Sequence, residues 1–210
     1  MDWAPDSYGW ETIYNPVTHI STVGSELTVV GKIDVFYEPF LDLDPVATEY
    51  TFIFQGLVSD GTQDIGSGML YTTYSGGSFA IYQDPANNAD FGTNPPNAVS
   101  PATFVDGDLI LEGTLSGFFV WGSTGPGGYA ATYQADFEFT GPMGDEKARG
   151  EFYDRVQGCY GTTGGAISDD PGIGIPIGYS YVVDGHLTVD DCRPIGTEDS
   201  NWGDVKQLFR

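Results

Sequence analysis

Four side chains in one irregular stretch, Asp84, Asn87, Asn88 and Asp90 of QDPANNADFG, carry the oxygen types that a hard cation takes. Calcium gathers about six to eight oxygens from carboxylates, amides and backbone carbonyls, and a loop can converge them where a flat strand cannot. The stretch is therefore a candidate calcium site. It has no EF-hand spacing, and Asp84-Pro85 with Asn94-Pro95-Pro96 is also the composition of a solvated turn. Asp42 and Asp44 in FLDLDP, Asp106 and Asp108 in VDGD, and the Asp169-Asp170 pair are secondary candidates, though such residues more often mark turns.

Other chemistry has thinner support. Glu112, Glu138 and Glu151 fall on predicted strands, where two facing acids would have glycosidase geometry, but no spacing rule in sequence identifies such a pair. His19 and His186 have no Ser or Cys partner in a nucleophile motif, so a catalytic triad is not expected, and the chain is read as a non-enzyme. Cys159 and Cys192 flank a long segment, and neither belongs to a CxxC pair, so zinc has little support. The expectation is a disulfide worth about 3–4 kcal/mol in the chain-entropy model, the alternative being two buried thiols. A bridge implies an oxidising, extracellular compartment. Trp10, Trp121 and several tyrosines could stack on sugar rings, although core rings look the same in sequence.

These residues need a scaffold, and the pattern is that of strands. ELTVVGKIDVFYE alternates, with Leu27, Val29, Ile33, Val35 and Tyr37 on one side. The same period puts Tyr50, Phe52, Phe54 and Val58 on one face, and Tyr133, Ala135, Phe137 and Phe139 on another. Further strands are expected at 68–74, 78–83, 108–121, 150–157 and 178–189. Asp-Gly pairs at 59–62, 105–108 and 183–186 read as hairpin turns. Together they predict an all-β chain: an extended N-terminal arm over 1–23, a single two-sheet β-sandwich or jelly-roll domain over 24–193, and a tail over 194–210. In the tail, Asp199 or Ser200 caps a short amphipathic helix bearing Trp202, Val205, Leu208 and Phe209.

Composition narrows the partners. With a formal charge of -23 and only 7 Lys or Arg, the chain repels phosphate and anionic lipid, which argues against nucleic acid and membrane surfaces. No apolar run is long enough to span a bilayer as a helix, and no leader-like apolar run opens the chain.

The segments GGSFAIYQDPANNADFGTNPPNAV and TFVDGDLILEGTLSGF resemble a group of secreted bacterial β-proteins, the exopolysaccharide-associated PEP-CTERM type. Their shared pattern is a strand, an acidic Asn/Asp loop and an Asp-Gly-x-Leu-x-Leu-x-Gly strand. The likeness spans roughly residues 50 to 140. The chain departs from that group in lacking a Pro-Glu-Pro sorting signal with its membrane helix, and the resemblance implies no catalytic residues. The resulting expectation is an extracellular structural protein, a self-assembling subunit of a surface filament, layer or matrix. Copies of itself are the expected partner, with calcium offsetting the repulsion between acidic subunits. The arm near Thr12 to Val23 would add as a strand to a neighbour's sheet edge or pair within its own domain. The alternative is a carbohydrate-binding or adhesive module whose partner is polysaccharide, with a glycoside hydrolase behind it.

Overall fold

The structure, a computed structural model, describes residues 1–3, 7–37, 43–92, 101–141 and 159–192. The strands in chain order are β1 (Asp2–Trp3), β2 (Ser7–Glu11), β3 (Tyr14–Asn15), β4 (Ile20–Ser21), β5 (Glu26–Lys32), β6 (Glu49–Gly66), β7 (Met69–Asp84), β8 (Asp108–Gly125), β9 (Gly128–Gly141), β10 (Cys159–Ser168) and β11 (Tyr181–Cys192). Among the described residues the only helical turns are two 3-10 segments, Ala102–Phe104 and Pro171–Ile173. The predicted C-terminal helix and the predicted strand at 150–157 lie outside the described residues.

The expectation of two stacked sheets is corrected. One antiparallel sheet runs β11-β10-β9-β8-β7-β6-β5-β2, and β2 then pairs back to β11 through Gly9 with Tyr181 and Tyr8 with Val182, closing an eight-stranded barrel. β1 extends the same seam, Asp2 opposite His186 and Trp3 opposite Gly185. Alternation could not distinguish the two architectures, because a sandwich strand and a barrel stave each bury one face. The pairing of the first strand with the last decides it. Residues 2–3 and 7–11 of the predicted arm are thus part of the barrel sheet, with β2 bonded to β5 on one side and β11 on the other.

Curvature comes from glycines at which the inward face changes phase. β6 points Tyr50, Phe52 and Phe54 inward, then Leu57 and Ser59 after Gly56. β7 does so across Gly76 and β8 across Gly117, and all three glycines have φ between 61° and 70°. Each acts as a β-bulge, which raises local twist and bends the stave toward closure. The register shifts beside them, between Leu27 and Val29 against β6 and between Ser116 and Phe119 against β9.

The bulge also reverses one predicted face: Val58 is 42% exposed, whereas Leu57 is fully buried. β5 ends at Lys32, so Val35 and Tyr37 are exposed instead of continuing its inner face.

The barrel interior is filled with side chains. Trp3 packs on Phe52 at a centroid distance of 4.7 Å, and Phe79 meets Phe137 and Phe139 edge-on at 5.6 and 5.4 Å. A second apolar cluster lies on the outer wall. There Val30, Ile53 and Ala80 are covered by Phe104 and Tyr179, with Phe91 edge-on to Tyr8 and Tyr179 and tilted against Phe104. The segment that opens with QDPANNADFG is therefore a strap whose aromatic residues cover one side of the barrel.

Candidate functional site

The four predicted calcium ligands share the strap, where each side chain makes a hydrogen bond. Asp84, 4% exposed at the end of β7, accepts the Ala86 N–H through Oδ1 at 2.8 Å, while its Oδ2 has no hydrogen-bond partner. Asn87 Oδ1 accepts the Glu49 N–H at 2.8 Å, and the Asn88 amide donates to Asp106 Oδ2 at 3.2 Å. Asp90 Oδ1 accepts the Gly92 N–H at 2.8 Å, while its own N–H donates to Thr103. These bonds shape the strap: Asn87 and Asp90 accept backbone N–H groups through Oδ1, and Asn88 donates through its amide nitrogen. Among the described residues no group of three His, Cys, Asp or Glu side chains is placed to hold a metal.

Asp44 turns its own loop by accepting the Val46 N–H at 2.9 Å, and Asp108 is exposed at the start of β8. Asp42 lies outside the described residues, as does Glu151. Glu112 and Glu138 lie on the outer wall of β8 and β9, where Glu138 accepts the Tyr160 hydroxyl at 2.9 Å. They are out of register: Glu138 faces Thr114, and Glu112 faces Gly141.

A polar cluster that sequence reading missed occupies one end of the barrel. Alternation in β2 turns Ser7, Gly9 and Glu11 inward, placing the Glu11 carboxylate, 7% exposed, among hydroxyls. Ser21 donates to Oε2 at 2.5 Å, and Tyr74 and Tyr181 donate to Oε1 at 2.7 and 3.0 Å. Beside it Asp169 accepts the Tyr14 hydroxyl, lies 2.5 Å from His19 Nδ1, and accepts the Tyr129 N–H at 2.6 Å.

Tyr14, His19 and Ser21 belong to the small β3–β4 hairpin, which residues 12–23 fold over the barrel end. Burial first, and the neighbouring carboxylates second, push the phenols of Tyr74 and Tyr181 far above their ordinary value. Burial, followed by the Asp169 contact, does the same to Tyr14. Neutral phenols donating to carboxylates form a lock, with no activated nucleophile among them. An open cavity of about 530 Å³ adjoins this end, lined by Glu11, Tyr14, Asp169, Ile175, Ile177 and Tyr179.

The opposite character appears on the outer wall around Trp121, where β7 to β11 run away from the strap. Trp121 is 48% exposed there, beside Tyr71 as its cross-strand partner and close to the Tyr71–Phe119 ring pair, whose centroids are 5.8 Å apart. Cross-strand register sets out two polar rows. One is Tyr71, Trp121, Thr132, Ala166 and Asp184, and the other Thr73, Phe119, Gln134, Gly164 and His186.

Gly164 leaves a trough between Gln134 and His186, and Tyr133 O lies only 3.0 Å from where a Cβ would stand. Trp121 borders both this groove of about 780 Å³ and a second of about 350 Å³ that contains Met69, Ser123 and Ala130. Trp10, the other sequence candidate, packs against Tyr179 beneath the strap's side of the barrel. An aromatic ridge between two shallow grooves can stack on a sugar ring while the Thr132 and Gln134 side chains beside it bond the ring's edges. Comparison with family models, with curated proteins and with solved structures finds no match to this chain.

Proposed function

We propose that this barrel is a non-enzymatic extracellular protein that binds polysaccharide across the Trp121 face. The observation that carries the reading is Trp121 itself, a large ring left half exposed between two grooves, with Thr132, Gln134 and Asp184 on the same wall. Large exposed rings with polar rims are characteristic of recognition surfaces. The filled interior favours an outside ligand, since Trp3, Phe52, Phe79 and Phe137 occupy the lumen.

Assembly by strand addition has less support from the same geometry. That mechanism asks for a free donor strand and an open acceptor edge. Here β2 is bonded on both sides, and residues 12–23 fold onto their own barrel.

The extracellular part rests on the cysteines. Cys159 and Cys192 are direct cross-strand partners of β10 and β11. Antiparallel partners stand about 4.5–5.5 Å apart at Cα, inside the roughly 4.4–6.8 Å window of disulfides. The bridge would staple the two staves at one end.

The test is retention of the purified chain on a panel of insoluble and gel-embedded polysaccharides, beside Trp121→Ala and Trp10→Phe. Trp121→Ala should lose retention with an unchanged melting temperature, and Trp10→Phe should keep it. Equal retention of wild type and Trp121→Ala would overturn the reading.

A further inference from the structure

Among the described residues the fixed charges around Trp121 are all of one sign. Asp184 ends the Trp121 row, three staves away at about 4.8 Å per stave, a span that a short oligosaccharide covers. Asp136 follows Thr132 and Gln134 along the outer face of β9 and is exposed. Across the other flank, Asp60 accepts the hydroxyls of Thr73 and Ser75 at 3.1 and 2.6 Å and remains exposed, with Thr73 the cross-strand partner of Phe119. Asp2 lies opposite His186 at the far end of the second row. Lys32 is the only Lys or Arg among the described residues, and it sits on β5, paired with Glu49 at 2.5 Å.

Among the described residues, an acidic polysaccharide brought to this wall would meet four carboxylates and no Lys or Arg. A neutral chain would gain stacking and hydrogen bonds but leave the carboxylates idle. A chain carrying free amines would stack on Trp121 and also place ammonium groups against Asp184, Asp136 and Asp60. The Gln134 amide and the Thr132 hydroxyl oxygen line the same groove, where they can meet its hydroxyls.

Building on the glycan reading above, we propose that the ligand of the Trp121 face is a cationic amino-sugar polymer, a glycan whose amines are free and not acylated. Charged neighbours of this kind add mainly specificity and association rate, and stacking supplies the common part of the affinity.

Isothermal titration of the full chain with tetramers of glucosamine, N-acetylglucosamine and glucose, in mildly acidic buffer at low and high salt, tests it. The glucosamine tetramer should bind about tenfold tighter than the other two, equivalent to about 1.4 kcal/mol. That advantage should shrink at high salt. The Asp136→Asn/Asp184→Asn double variant should remove most of the advantage while keeping the weaker common affinity, and Trp121→Ala should abolish binding of all three.

Equal affinity for the three tetramers would overturn the amino-sugar inference and leave the glycan reading standing. Absence of binding to any of them, together with no retention on the polysaccharide panel, would overturn both. Glucosamine binding that survives Trp121→Ala would be diffuse attraction to a chain of charge -23, and would also overturn it.

Discussion

Replacing Glu11 with alanine tests whether the buried network locks the barrel end. Glu11 accepts three hydroxyls, from Ser21, Tyr74 and Tyr181, at 2.5 to 3.0 Å. Alanine strands all three donors in a site that water scarcely reaches, at about 1–3 kcal/mol for each buried group left unpaired. Against this stands relief from burying a carboxylate, whose desolvation is itself several kcal/mol. The balance is a loss of about 3–5 kcal/mol, or on the order of 10 °C in melting temperature for a chain of this size.

Glu11→Gln separates the causes. Its carbonyl can still accept from both tyrosines, and its amide can donate to a rotated Ser21 hydroxyl, so it should lose only about 1 kcal/mol. Thermal unfolding followed by circular dichroism reads both variants. An alanine variant within about 1 kcal/mol of wild type would refute the network as a lock. A glutamine variant as damaged as alanine would refute the role given to its hydrogen bonds.

Alkali should unfold the barrel through its tyrosines. Burial raises the phenols of Tyr74, Tyr133 and Tyr181, so each contributes stability that is complete below the unfolded value of about 10 and is lost as pH climbs toward the folded one. At about 1.4 kcal/mol per pH unit for each group, the three remove about 4 kcal/mol per unit. Their tyrosinate absorbance should appear only together with loss of the β signal, and ionisation near 10 in an intact barrel would contradict their burial. Chain purified under oxidising conditions should show no reactive thiol, and Cys159→Ser/Cys192→Ser should lose about 3–4 kcal/mol; two reactive thiols in the native protein would dismiss the bridge. Chelator should leave the melting temperature unchanged, because Asn87 and Asp90 already accept backbone N–H groups that shape the strap; a calcium-dependent rise abolished by Asp84→Asn would return the ion to that loop.

The alternation of Tyr133, Ala135, Phe137 and Phe139 was legible, and all four are buried. Local pattern failed where the deciding contact was distant. The Asp-Gly of residues 59–62 lies within β6 at a bulge, and that of 183–186 lies mid-strand in β11. At the latter, Gly185 is small because the Tyr133 hydroxyl would stand 2.0 Å from any Cβ there. The hairpins instead turn at Gly66-Ser67-Gly68, with φ of 92°, 57° and 75°, and at the glycines before β9. β10 was unforeseen as a strand for the same reason. Gly161 makes room for the Phe137 ring and Gly165 for the β11 backbone, so a stave looks like a loop when read alone.

The functional face illustrates the same limit more sharply. Trp10 and Trp121 are equal as letters, each in an alternating run, and what separates them is the strap. Phe91 and Phe104, held by bonds among the very Asp and Asn residues that suggest calcium, cover the wall of β2, β5 and β6 beside Trp10. Among the described residues the outer wall around Trp121 has no such cover, and Trp121 is 48% exposed. Glu11 was hidden by a different gap, since a carboxylate in an alternating strand is ordinarily solvent-facing. Only the inward phase of Ser7 and Gly9, together with donors contributed by three distant elements, makes it interior. The strap therefore does more than protect apolar wall: by covering one half of a closed barrel whose lumen is full, it leaves the other half as the surface on which a ligand can act.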